Sequence, residues 1–199
     1  MELLNYFSYN SIVILSMFLI SFVEIILNYL TNGLVTDKLF STERASLLNP
    51  FTYLRFITHS LGHRDWEHFS NNYLKILLLG PLIEEKYGSI NLIIMLVITS
   101  IIIAIVNFIK GTINLCGASG ICFMLIVLSS IVNISNNKIP LTFILVIVFY
   151  IIDELVNLVK DRKSSISHSS HLIGALCGGV FGYLSLYTNF FNQIINYIN

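Results

Sequence analysis

Six long apolar stretches punctuate the chain, at residues 11–30, 68–83, 90–109, 117–134, 141–159 and 171–187. Each approaches the ~20 residues that an α-helix needs to cross a hydrocarbon core about 30 Å thick. In lipid every backbone group must be paired internally, and helices do this within one segment. The pattern predicts an all-α, polytopic membrane protein built as a bundle of six transmembrane helices. The first stretch does not read as a cleavable leader. No basic segment precedes it, its apolar run is too long, and no small-residue cleavage site follows. The connections are short except for residues 31–67, which carry Lys38, Arg44, Arg55, Arg64, His59, His63 and Trp66. A connection of that length is usually functional or partly structured, so a folded first loop packed against the bundle is expected. The amphipathic tail, residues 189–199, is expected at the membrane interface.

Composition narrows the class. Only 11% of the 199 residues are charged and 55% are hydrophobic, with a mean hydropathy of +0.79. Disorder requires the opposite balance. Eleven Lys and Arg offset eleven Asp and Glu, so no basic excess exists for nucleic acid. So few polar groups could not cover a water-soluble globule, and the expected partner is the lipid bilayer. Three scattered cysteines make no disulfide framework. With a cytoplasmic N-terminus, the outer loops would hold Lys38, Arg44, Arg55, Arg64, Lys110, Lys160, Arg162 and Lys163, and the inner loops Lys86 and Lys138. Charge counting therefore places the N-terminus outside.

Polar groups inside spans cost about 2.5–3.5 kcal/mol each and are functional candidates. They gather at three places. Gly117-Ala118-Ser119-Gly120 opens the fourth stretch. Its glycines would let a substrate backbone approach Ser119, and a helix N-terminus suits a developing oxyanion. The alternative is that these small residues only pack helices. His171 opens the sixth stretch, followed by Gly174, Gly178 and Gly182 at four-residue intervals. Seven residues advance a helix by about 700°, which puts His171 roughly 20° from Gly178 on the close-packing face. A Ser and a His brought together make a nucleophile and its general base; the alternative is an interhelical hydrogen bond. His68 and Asn72 are four residues apart on one face of the second stretch. They are either oxyanion donors or interhelical ties.

These three sites, in this order, resemble the rhomboid intramembrane serine proteases. The resemblance runs from Arg55 to Gly182. It comprises His68-x-x-x-Asn72, Gly117-x-Ser119-Gly120 and His171-x-x-Gly174-x-x-x-Gly178, with Arg55-x-x-x-His59 and His63 upstream and Glu84-x-x-x-Gly88 after the second stretch. It implies a six-helix rhomboid bundle whose Ser–His dyad has Ser119 as nucleophile and His171 as base. The Ser119 N–H, His68 and Asn72 would form the oxyanion hole. Arg55, His59, His63 and Glu84 would be structural, with Gly117, Gly120, Gly174 and Gly178 shaping the motifs. It implies no cofactor and no metal. It also implies a cytoplasmic N-terminus with the site opening outward, against the charge count. The substrates implied are single-span membrane proteins, and a bacterial plasma membrane is the expected location. Two positions depart from the family pattern: Leu54 replaces a Trp, and Phe123 replaces a Tyr that stacks on the catalytic His. Lys75, Glu24, Asp153 and Glu154 are further charges inside the stretches, and Lys75 could pair with one of the acids.

Three other readings compete. An inactive rhomboid-like protein would bind transmembrane segments without cutting them, and such relatives lack the Ser or the His. A metalloprotease could use His59-x-x-x-His63 with His168-x-x-His171, although no H-E-x-x-H occurs. A small transporter could line a path with the polar groups, but no inverted repeat or charge ring is visible.

Overall fold

The computed structural model describes residues 10–43, 45–111, 114–131, 140–152, 155–156 and 168–188. Its elements in order are α1 (Ile12–Leu30), α2 (Leu34–Leu39), α3 (Pro50–Thr58), α4 (Trp66–Tyr87), α5 (Ser89–Lys110), α6 (Ser119–Ile131), α7 (Leu141–Val146), which runs into a π-helical turn over Ile147–Ile151, and α8 (His168–Tyr187). The architecture is an all-α bundle. Among the described residues the β-geometry is one antiparallel bridge, between Thr42 and Leu115. By length and composition α1, α5 and α8 can cross a membrane. Large apolar side chains point outward along the bundle, such as Leu74 at 72% exposed and Leu78 at 70%. In water such a surface would associate; in lipid it is the solvated face.

Local chemistry sets the element ends. Helix α4 starts at Trp66, ahead of the first polar residue of its apolar stretch, because the Asp65 carboxylate accepts the His68 N–H at 2.7 Å. It ends at Gly88, whose φ of 82° no longer continues a helix. Helix α3 starts on the Asn49 cap with Pro50 in its first turn. Helix α6 starts at Ser119, later than the apolar run at 117, because Gly117 has φ +128°.

Helix α6 is the centre of the bundle. Ten of its thirteen residues are buried, which is the mark of a helix surrounded by others. It packs on α4, α5, α7 and, most intimately, α8. Helix α4 is tied to α1 at two levels, within its first half and near its C-terminal end. The Tyr73 hydroxyl donates to the Met17 carbonyl at 3.0 Å and lies 2.5 Å from Ser21 Oγ. Near the C-terminal end the Glu84 carboxylate accepts the Ser11 hydroxyl (2.5 Å), the N–H groups of Val13 (3.2 Å) and Ile14 (3.3 Å), and the Ser89 hydroxyl (2.6 Å). Glu84 thus caps α1 from another helix, placing a carboxylate on first-turn N–H groups that lack carbonyl partners.

The first loop folds as helices α2 and α3 packed on α1 and α5. It is strapped to the segment before α6. Thr42 and Leu115 exchange N–H···O bonds of 2.8 and 2.9 Å, the Asn107 amide donates to the Thr42 carbonyl (2.9 Å), and the Gly117 N–H donates to the His59 carbonyl (2.8 Å). The tail 189–199, the charged residues Arg44, Lys138, Asp153, Glu154, Lys160, Arg162 and Lys163, and part of the fifth apolar stretch lie outside the described residues.

Candidate active site

Ser119 is the first residue of α6. The Cys122 N–H is the first to find a carbonyl one turn back, that of Ala118, at 2.9 Å. The N–H groups of Ser119, Gly120 and Ile121 therefore point out of the helix start, with the positive end of the dipole behind them. Ser119 itself is half-buried.

Helices α6 and α8 run parallel and touch backbone to backbone. A Cβ placed on Gly174 would lie 1.9 Å from the Gly120 carbonyl oxygen, and one on Gly178 would lie 2.4 Å from the Met124 carbonyl oxygen. Only glycine permits that approach. Gly120 in turn faces the Ser170 carbonyl, where a Cβ would come within 3.1 Å. The chain neighbours of Ser119 and His171 are thus in contact, which sets the serine and the imidazole on facing turns. The Phe123 ring lies flat against the His171 ring, with centroids 4.5 Å apart and planes 9° apart.

His68 approaches from α4. A Cβ on Gly117 would fall 2.5 Å from His68 Cε1 and 2.7 Å from Nε2, so the imidazole lies on the strand of backbone that leads into Ser119. One turn along α4, Asn72 is 4% exposed. Its Nδ2 donates to His63 Nε2 at 3.1 Å, and Cys122 Sγ lies 3.4 Å from its carbonyl and 3.7 Å from its Oδ1. His68, Asn72 and His171 thus each meet the segment that carries Ser119: His68 at Gly117, Asn72 at Cys122 and His171 at Phe123.

Among the other motif residues, His63 touches both Asn72 and His68, and the His59 carbonyl accepts the Gly117 N–H. Arg55 is buried in α3, with a guanidinium nitrogen 3.9 Å from Glu43. His59 and His63 are buried in the first loop. Burial holds both imidazoles neutral, His59 at a pKa of about 4 and His63 at about 3, the latter helped by the nearby His68 charge. Glu84 sits at the far end of α4 on the start of α1. Lys75 donates to the Asn71 carbonyl at 2.8 Å. It does not reach Glu24, whose carboxyl is engaged by Thr36 and by the His63 N–H. Among the described residues no three His, Cys, Asp or Glu side chains converge on a point that could hold a metal ion.

Sequence reading missed one neighbour of the site, Cys122, and weighed another, His168, only as a metal ligand. Cys122 follows Ser119 by one helical turn, and that spacing alone places it beside the serine. His168 precedes His171 by one turn, and their rings stand edge to face 6.3 Å apart.

A helix start carrying a half-buried serine, packed against a glycine-lined helix that begins with histidines, inside an apolar bundle, marks a polytopic membrane protein with polar side chains among its helices. The Rhomboid domain pattern matches residues 50–188, and the chain belongs to the rhomboid family. It is similar to the Rhomboid-like protein 11, chloroplastic, of Arabidopsis thaliana, at 24% identity over 147 residues, covering 66% of this chain and 52% of that protein. The chain thus spans about half the length of that curated relative.

Proposed function

We propose that this protein is an intramembrane serine endopeptidase that cuts transmembrane segments of single-span membrane proteins. In this reading Ser119 Oγ attacks the scissile carbonyl carbon while a His171 ring nitrogen takes the hydroxyl proton. The oxyanion forms among the Ser119 N–H, His68 and Asn72. When the C–N bond breaks, His171 returns the proton to the leaving amine. A water then attacks the acyl-serine with His171 again as base, releasing the new carboxylate and restoring Ser119. Phe123 supports this role by fixing the plane of the His171 ring.

The observation that supports the reading is the glycine contact between α6 and α8, made by the chain neighbours of Ser119 and His171. The relative this chain matches in Arabidopsis thaliana is named only as rhomboid-like, so the test is activity itself. The full chain in liposomes is given a panel of tagged single-span proteins, beside Ser119→Ala and His171→Ala. Wild type is expected to cut at least one. Each variant should lose on the order of 10³-fold or more, and the double variant little beyond either, since the pair acts as a unit. Tight binding of the panel without cleavage would instead make the protein a binder of transmembrane segments.

A further inference from the structure

Helix α1 carries a carboxyl that the proposed mechanism does not use. Glu24 is 1% exposed, and a carboxylate there needs a reason. Its Oε2 accepts the His63 backbone N–H at 2.9 Å. Its Oε1 lies 2.5 Å from Thr36 Oγ1, and that hydroxyl is also 2.7 Å from Asn28 Oδ1. The Asn28 Nδ2 donates to the Arg64 carbonyl at 3.1 Å, which fixes Oδ1 as an acceptor. The Thr36 hydroxyl has one hydrogen and faces two oxygens. Every bond is satisfied when Thr36 donates to Asn28 and Glu24 carries a proton that it donates to Thr36.

The chain of contacts continues into the site. His63 Nδ1 lies 3.2 Å from the Leu61 carbonyl, which can only accept, so Nδ1 holds the hydrogen and Nε2 is bare. Nε2 accepts one hydrogen of the Asn72 amide. The Cys122 thiol lies near the amide oxygen. One amide hydrogen of Asn72 is thereby fixed and the other is left to donate. We propose that Glu24 is a positioning residue: its carboxyl anchors the His63 backbone, and His63 orients the Asn72 carboxamide for the oxyanion. This rests on the protease reading for its catalytic consequence, but not for its geometry.

The test uses the full chain as wild type, Glu24→Gln and Glu24→Leu, with Ser119→Ala as the activity control. Gln can accept from His63 with its oxygen and donate to Thr36 with its amide, so Glu24→Gln should keep kcat within about threefold. Leu can do neither, and Glu24→Leu should lower kcat about tenfold with little change in KM, as loss of part of one oxyanion donor does. Independently of activity, ¹⁵N spectra of the wild type should show His63 Nε2 without a hydrogen and coupled in space to the Asn72 amide, and Glu24→Leu should shift that amide. A His63 protonated at Nε2, an Asn72 amide unmoved by Glu24→Leu, or equal kcat losses in Gln and Leu would overturn the proposal. If wild type and Ser119→Ala are equally inactive, the protease reading fails while the spectra still decide the positioning role.

Discussion

At the scale of single residues, His68 and Asn72 differ in how they are held, and that separates their roles. His68 lies on Gly117 beside the serine, whereas Asn72 is gripped by His63. Each should act in the transition state, where removing one oxyanion donor costs about 10²–10³ in rate. His68→Ala and Asn72→Ala should therefore lower kcat with KM nearly constant, and Ser119 should still be labelled by a fluorophosphonate. A melting temperature that falls in step with activity would return both residues to a purely structural role. The motif residues were legible because their spacing survives in the linear chain: His68 and Asn72 at four, His171 and Gly178 at seven. The grip on Asn72 was not. His63 lies in a loop without periodicity, and Glu24 looked like an isolated charge in an apolar run, because its partners Thr36 and His63 are brought to it only by the fold of 31–67.

At the scale of elements, the α6–α8 seam is the part least tolerant of change. Gly174→Ala would drive a methyl into the Gly120 carbonyl, and overpacking of this kind costs roughly 1–3 kcal/mol. We expect Gly174→Ala to lower the melting temperature and to reduce cleavage more than tenfold, because separating the helices separates their first turns. Gly179→Ala is the control. Nothing lies within 4 Å of its added Cβ, and stability and activity should both hold. The helices of the bundle were legible from apolar run length. Their ends were not, since Asp65, Gly88 and Gly117 act through capping and backbone angle, which hydropathy does not register.

At the scale of the whole molecule, the first loop adds a pH dependence to stability. His59 and His63 have folded pKa values of about 4 and about 3, below the ordinary 6.5, chiefly through burial. Between those values and 6.5 the unfolded chain binds protons that the folded chain refuses, so stability is complete above pH 6.5 and falls as pH drops. By pH 5 the loss is on the order of 1–2 kcal/mol per histidine. Thermal melts from pH 7.5 to 4.5 should show it, and His59→Asn should flatten the curve. A flat curve in the wild type would mean that water reaches these rings.

The clamp between α4 and α1 has a consequence for how the protein is made. Helix α4 is as long as α5, yet it carries Glu67, His68, Asn72, Lys75, Glu84, Glu85 and Lys86 and does not meet the apolarity of a self-sufficient span. A translocon that weighs segments singly would favour leaving it in water, given about 2.5–3.5 kcal/mol for each charge at the bilayer centre. Glu84 and Tyr73 find their partners on α1, which leaves the ribosome first. Helix α1 thus offers α4 the polar partners that let a segment too polar to span alone sit among apolar helices.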